Sequence, residues 1–180
     1  MKKFALAAFV ALFCLSFNSL HAQAYEKGSK VLNLGIGLGG WYSFGFVSPG
    51  VSASFEVGMW PTGSFGVIGI GGYTGFRVAT DNSAFYDIVY TNIAFAPRGT
   101  YHFTIIPVEN LDVYAAVQAI FSIEDIHYKD KDFEYLDSNG VVFYPGVVAG
   151  VRYFFSDRFG VFGELGYNLN YVTGGISLSF

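Results

Sequence analysis

The 180-residue chain has a net charge of −4, only 13% charged residues, 19% aromatics, 23 glycines and a single cysteine. Ordinary soluble domains carry about 25% charged residues, so the composition argues against a water-facing globule. The mild acidic excess argues against a nucleic-acid partner, and one cysteine rules out a disulfide framework within the chain.

The opening stretch has Lys2 and Lys3 ahead of an apolar run from Phe4 to Phe17, with small residues at Ala22 and Ala24. The run is too short to span a bilayer, and the pattern predicts a secretory signal peptide over residues 1–24, cleaved after Ala24 or Ala22. Cys14 lies inside that run behind a bulky Phe13, which disfavours a lipidation site. The exported domain, residues 25–180, then has no cysteine for a metal site or a nucleophile.

Period-two alternation with turn residues between the runs predicts eight strands. The first, about Val31–Trp41, sets Leu32, Leu34, Ile36 and Leu38 against Asn33, Gly35, Gly37 and Gly39. After "YSFGFVSPG", the strand at about Val51–Met59 sets Val51, Ala53, Phe55 and Val57 against Ser52, Ser54 and Glu56. "WPTGS" turns into about Gly66–Val78, where Ile68, Ile70 and Phe76 oppose Tyr73 and Arg77. The polar loop "ATDNSAFYD" leads to about Val89–Phe103, with Ile93, Phe95 and Tyr101 against Asn92, Arg98 and His102.

"TIIPVEN" connects to about Leu111–Ile123, where Val113, Ala115, Val117, Ala119 and Phe121 oppose Asp112, Gln118 and Ser122. A charged loop is expected from Glu124 to Gly140. The sixth strand, about Val141–Phe155, alternates Phe143, Val147, Ala149 and Val151 with Tyr144, Gly146, Gly150 and Arg152. "SDR" turns into Phe159–Tyr167, where Val161, Leu165 and Tyr167 oppose Phe162, Glu164 and Asn168, and Asn168–Asn170 turns into Tyr171–Phe180.

One face of each strand is apolar and nearly free of charge. The other is mostly Gly, Ser, Ala and Asn, with charges at Glu56, Arg77, Arg98, Arg152 and Glu164. A soluble lipocalin-like barrel would carry Lys and Glu outside; here the pattern predicts an all-β, eight-stranded, antiparallel, up-and-down transmembrane β-barrel. Closure is required because an open sheet edge in lipid would leave backbone groups unpaired. Phe76, Tyr101, Phe103, Phe143, Tyr153 and Tyr167 are expected as outward interfacial girdles.

The last strand, "TGGISLSF", places a polar residue, a glycine and two hydrophobic residues at Thr173, Gly175, Leu178 and Phe180. This resembles the insertion signal of bacterial outer-membrane barrels. The two final strands together, "FGVFGELGYNLNYVTGGISLSF", look like the ending of small outer-membrane β-barrel proteins of the OmpA/OmpX type. The resemblance implies insertion by a barrel-assembly machinery, with outer-membrane lipid and lipopolysaccharide as surroundings. It also implies termini and short turns in the periplasm and longer loops outside. Unlike in the larger members, no peptidoglycan-binding domain is expected after Phe180, and "TIIPVEN" is longer than the usual periplasmic turn.

Three groups of residues bear on chemistry. Glu56, Arg77, Arg98, Arg152 and Glu164 face the lumen, where pairing is close to obligatory; with Tyr73, Tyr144 and Phe162 they would plug it. The alternative is a gate whose pairs rearrange to pass ions. Arg77 and His102 fall near the rim. The second group is the acidic loop, with Glu124, Asp125, Asp130, Asp132, Glu134 and Asp137 beside Tyr128, Phe133 and Tyr135. Adding Asn139, it is loosely similar to an oxygen-rich calcium loop but lacks the internal glycine, and a solvated external loop is favoured. The third group is His102 and His127, the histidines left after cleavage; neither forms an obvious pair with Ser for lipid A chemistry, although Glu124 and Asp125 stand close to His127.

The sequence thus predicts a monomeric, porin-like outer-membrane protein that is not an enzyme, needs no cofactor or metal, and acts structurally or through external loops that meet an unidentified surface ligand. The alternative is a narrow ion-conducting pore gated by lumen Glu/Arg pairs. Behind these stand a lipid A-modifying enzyme and a soluble lipocalin-like binder.

Overall fold

In a computed structural model that describes residues 25–40, 49–82, 87–106 and 108–180, eight strands form one antiparallel sheet that closes into a ring. The expected signal peptide and most of "YSFGFVSPG" lie outside the described residues. The strands are β1 Lys30–Leu38, β2 Gly50–Pro61, β3 Gly66–Asn82, β4 Asp87–Phe103, β5 Leu111–Tyr128, β6 Ser138–Phe154, β7 Phe159–Tyr167 and β8 Val172–Ser179. Each pairs with its neighbour in sequence, and β1 pairs with β8 from Val31↔Ser179 to Leu38↔Val172. The Phe180 N–H reaches the Lys30 carbonyl at 3.0 Å, so the seam is hydrogen-bonded to the last residue.

The alternation decides the faces as the pattern predicts. Leu34, Ile36, Val51, Phe55, Phe76, Phe95, Val117, Phe121, Phe143, Val147 and Leu165 are exposed on the outside. Asn33, Ser54, Glu56, Arg98, Gln118, Arg152, Glu164, Thr173 and Ser177 are buried inside.

The interior is filled in layers. Near the end that holds Lys30 and Phe180, Tyr25, Val31, Val67 and Phe154 pack together. A charged layer follows, then an apolar one of Tyr73, Ala94, Ala96, Ile120 and Leu169 with Tyr144 against it. Gly150 makes room for this filling, since a Cβ there would stand 2.3 Å from Cζ of Tyr114.

The expected loop from Glu124 to Gly140 is corrected. β5 continues to Tyr128 and β6 starts at Ser138, so Glu124 and Asp125 are strand residues. They pair with Gly140 and Asn139, and only a short 3₁₀ segment, Lys131–Leu136, intervenes. The polar composition suggested a loop, but alternation persists through it, with Asp125 and His127 exposed and Glu124, Ile126 and Tyr128 half-buried.

Candidate functional site

The charged layer is built from five strands. β2 supplies Glu56, β4 Arg98, Thr100 and His102, β5 Asp112 and Tyr114, β6 Arg152 and β7 Glu164. All of them are buried, and Glu56 and Arg152 are fully enclosed. Arg152 donates from Nη2 to Oε1 of Glu56 at 2.5 Å and from Nη1 to Oδ2 of Asp112 at 2.6 Å. Arg98 donates from Nη2 to Oε1 of Glu164 at 2.5 Å, and its Nε lies 3.9 Å from Oε2 of Glu56. Tyr114 donates to the same Glu164 oxygen at 2.8 Å, and its ring lies 4.6 Å from the Arg152 guanidinium carbon. Each cation thus meets two carboxylates, which offsets the cost of taking charge out of water.

His102 is a correction to the expectation that it falls at the rim. Its Nδ1 lies 2.8 Å from Oδ1 of Asp112, and its Nε2 is 3.0 Å from Oγ1 of Thr100 and 3.7 Å from Oε1 of Glu56. The ring of Tyr25 stacks on the imidazole, with centroids 3.5 Å apart. Thr100, His102 and Asp112 have the order of a hydroxyl, a base and an orienting acid. All three are nevertheless buried under Tyr25, an arrangement suited to holding the layer together.

Asp112 and His102 carry the inward parity, so their facing was readable from alternation, but their place in this layer was not. Tyr114 has the same parity. Tyr25 left no signal, since it precedes β1 and enters the interior only because Gly28 and Ser29 pair with Gly58. A smaller polar cluster adjoins, in which Asn33 donates to Ser54 at 3.1 Å and accepts from Ser177 at 2.7 Å.

Arg77 does lie near the opposite end, apart from this layer. Its Nη1 donates to the carbonyls of Gly39 at 2.7 Å and Leu169 at 2.9 Å. Its Nε and Nη2 are buried without a hydrogen-bond partner. Gly40 allows this placement: its φ is +154°, and a Cβ there would overlap the guanidinium. A cavity of about 240 Å³ opens beside it, lined by Arg77, Asn92, Glu124, Tyr144, Tyr167 and Leu169. Tyr167, expected in the outward girdle, instead lines this cavity and packs edge-on against Tyr144 at 5.9 Å. The turn Asn168–Asn170 folds inward and is buried, flooring the cavity with Leu169.

The acidic stretch is not gathered into a ligand cage. Asp137 receives the Tyr128 N–H at 2.8 Å and lies 2.6 Å from Nδ1 of His127, which together hold its carboxyl below the usual value near 3.8. Asp130 is exposed, and the side chains of Asp132 and Glu134 lie outside the described residues. Among the described residues no three His, Cys, Asp or Glu side chains converge on a metal position. Tyr135 is 78% exposed, while Tyr128 and Phe133 approach each other at 6.4 Å. In β8 Thr173 is buried and Gly175 and Leu178 are half-buried, and Phe180 just after it is exposed.

No protein-family model matches the sequence, and no curated protein matches it.

Proposed function

We propose that the chain is an integral outer-membrane β-barrel of the OmpA/OmpX type, with lipid against its outer wall and an interior closed by its charged layer. Its role on this reading is structural or interactive, exerted through the end that carries the β3–β4 and β5–β6 connections. The observation that carries it is an inversion of polarity. Along the wall the exposed side chains are apolar, while Glu56, Arg77, Arg98, Asp112, Arg152 and Glu164 are buried. The exposed charges among the described residues, such as Lys27, Glu109, Asp125, Lys129 and Arg158, gather at the two ends. Monomeric soluble proteins rarely expose so continuous an apolar surface.

Aromatic belts support the same reading. Tyr101 with Phe103, and Tyr153 with Phe155, form ring pairs toward one end, and Phe121 with Phe143 does so toward the other. From Phe143 to Tyr153 along β6 the rise is about 33 Å, which at a tilt of ~40° gives a band about 25 Å tall, the height expected of a lipid-facing wall.

The test is membrane extraction of the full-length protein, followed by gel migration with and without heating. This reading expects detergent-dependent solubility and an unheated band that migrates differently. A folded protein that stays monomeric in buffer without detergent would contradict it.

One observation favours a narrow ion pore as a second reading. Glu56 lies within reach of both Arg152 and Arg98, so the pairs have an alternative arrangement. A gate needs such a rearrangement, and conductance separates the two readings.

A further inference from the structure

β6 runs further than the strand on its far side. It pairs with β5 as far as Ile126↔Ser138, but its pairing with β7 stops at Val147↔Tyr167. There β7 ends and the turn Asn168–Asn170 folds inward, so among the described residues the stretch from Ser138 to Gly146 has a strand on one side only. The direction of its backbone groups follows from the other end of β6. The Phe154 N–H donates to the Asn110 carbonyl on the β5 side and the Phe155 N–H to the Phe159 carbonyl on the β7 side, both at 2.9 Å. The register with β5 has no break, so alternate residues keep these two directions along the strand. Asn139, Val141 and Phe143 therefore turn their N–H and carbonyl groups to the open side, where they meet no partner among the described residues. Val141 is 69% and Phe143 61% exposed. Pro145, with no N–H to offer, closes the open stretch at its inner end.

An exposed row of backbone donors and acceptors at strand spacing is a template for another extended chain. Two further features say what kind of chain. Val142 and Tyr144 of β6, with Tyr167 and Leu169 across the gap, line the cavity of about 240 Å³, which therefore lies where the two strands part. A side chain projecting inward from an added strand enters it, and the aromatic and apolar wall suits an aromatic or branched residue. The exposed charges of this end are mostly acidic, with Asp125, Asp130 and Asp137 against Lys129 among the described residues. We propose that the open edge of β6 from Asn139 to Phe143 binds an extended basic segment of another protein as an added strand, one apolar side chain of which fills the cavity. The site deepens the surface-interaction reading by naming the partner's chemistry, and only the exposure of the edge outside the cell rests on that reading.

The experiment follows amide exchange residue by residue in the full-length protein, in whichever medium keeps it folded, detergent micelles or buffer. That choice separates failure of the edge from failure of the membrane reading. The probe is an end-capped peptide of alternating valine and phenylalanine between paired lysines. The expected result is saturable one-to-one binding that slows exchange at Val141 and Phe143 at least about tenfold and leaves Val142, already bonded to β5, unchanged. The same peptide N-methylated throughout, which has no backbone donors, should bind at least about tenfold more weakly. So should the unmethylated peptide to a Val141→Pro variant, which loses one edge donor and no bond to β5. No saturable binding, or binding that slows neither Val141 nor Phe143, would overturn the site. Equal binding of a counterpart with glutamate in place of lysine would overturn the basic assignment. Slow exchange at Val141 and Phe143 that appears without peptide and grows with protein concentration would place a second copy on the edge, against a peptide partner. Should Val141→Pro fail to fold, the methylated peptide on the unaltered chain decides alone.

Discussion

Two buried arginine environments lie within one interior, and they are built oppositely. Arg98 and Arg152 sit mid-ring, each within reach of two carboxylates, with their Nη groups committed to Glu56, Asp112 and Glu164. Arg77, toward the loop end, is held by two backbone carbonyls and forms no ion pair among the described residues, although Glu124 lines the cavity beside it. The first environment is closed on itself: every charge has its opposite in the protein. In the second, the cation is held among the described residues by backbone carbonyls alone. Burial alone therefore does not say how an arginine is held; its partners do.

The largest effect should come from breaking the closed environment. Arg152→Met leaves Glu56 and Asp112 buried together without their shared cation, and should cost about 3–5 kcal/mol. A lowered urea midpoint of the refolded protein would register it. Filling the space that the layer needs should cost less. Gly150→Val drives a side chain into the Tyr114 ring, an overpacking expected to cost about 1–3 kcal/mol on the same urea scale. If the contrast holds, Arg77→Met should shift the midpoint by no more than about 1 kcal/mol, because two lost carbonyl bonds are offset by removal of an uncompensated charge. A loss as large as that of Arg152→Met would erase the distinction between the two environments.

The smallest effect lies outside both. Asp137 has its carboxyl held down by the Tyr128 N–H and His127, so its contribution is complete above the ordinary value near 3.8 and is lost as pH falls through the lower folded value. Amide exchange at Tyr128 should therefore quicken only at acid pH. In Asp137→Asn it should already be quick at neutral pH.

Much of this is legible in the sequence. Alternation assigned the faces of the strands, Tyr167 at the end of β7 excepted, and it placed Glu56, Arg98, Arg152 and Glu164 inside, where they do pair. Asp112 carried the same parity but was not counted among the lumen charges. Its ion pair follows from the cross-strand register Asp112↔Arg152, which no local pattern encodes. His102 joins for a similar reason, since tilt and register bring β4 level with Glu56 on β2. Arg77 was legible as an inward charge near the rim. Its environment was not, because the Gly39 and Leu169 carbonyls come from 38 and 92 residues away. The stretch from Glu124 to Gly140 misled for the opposite reason. A strand that runs past its apolar band becomes polar and reads as a loop.

The most direct test of the closed mid-ring is single-channel conductance of the refolded protein in a planar bilayer, beside a variant with Glu56→Gln and Glu164→Gln. The account predicts a silent wild-type protein, shown by its heat-shifted band to be folded, because Arg98, Arg152 and Tyr114 fill the section and are neutralised in place. Steady conductance by the wild-type protein, altered by the two substitutions, would contradict it and make the charged layer a gate.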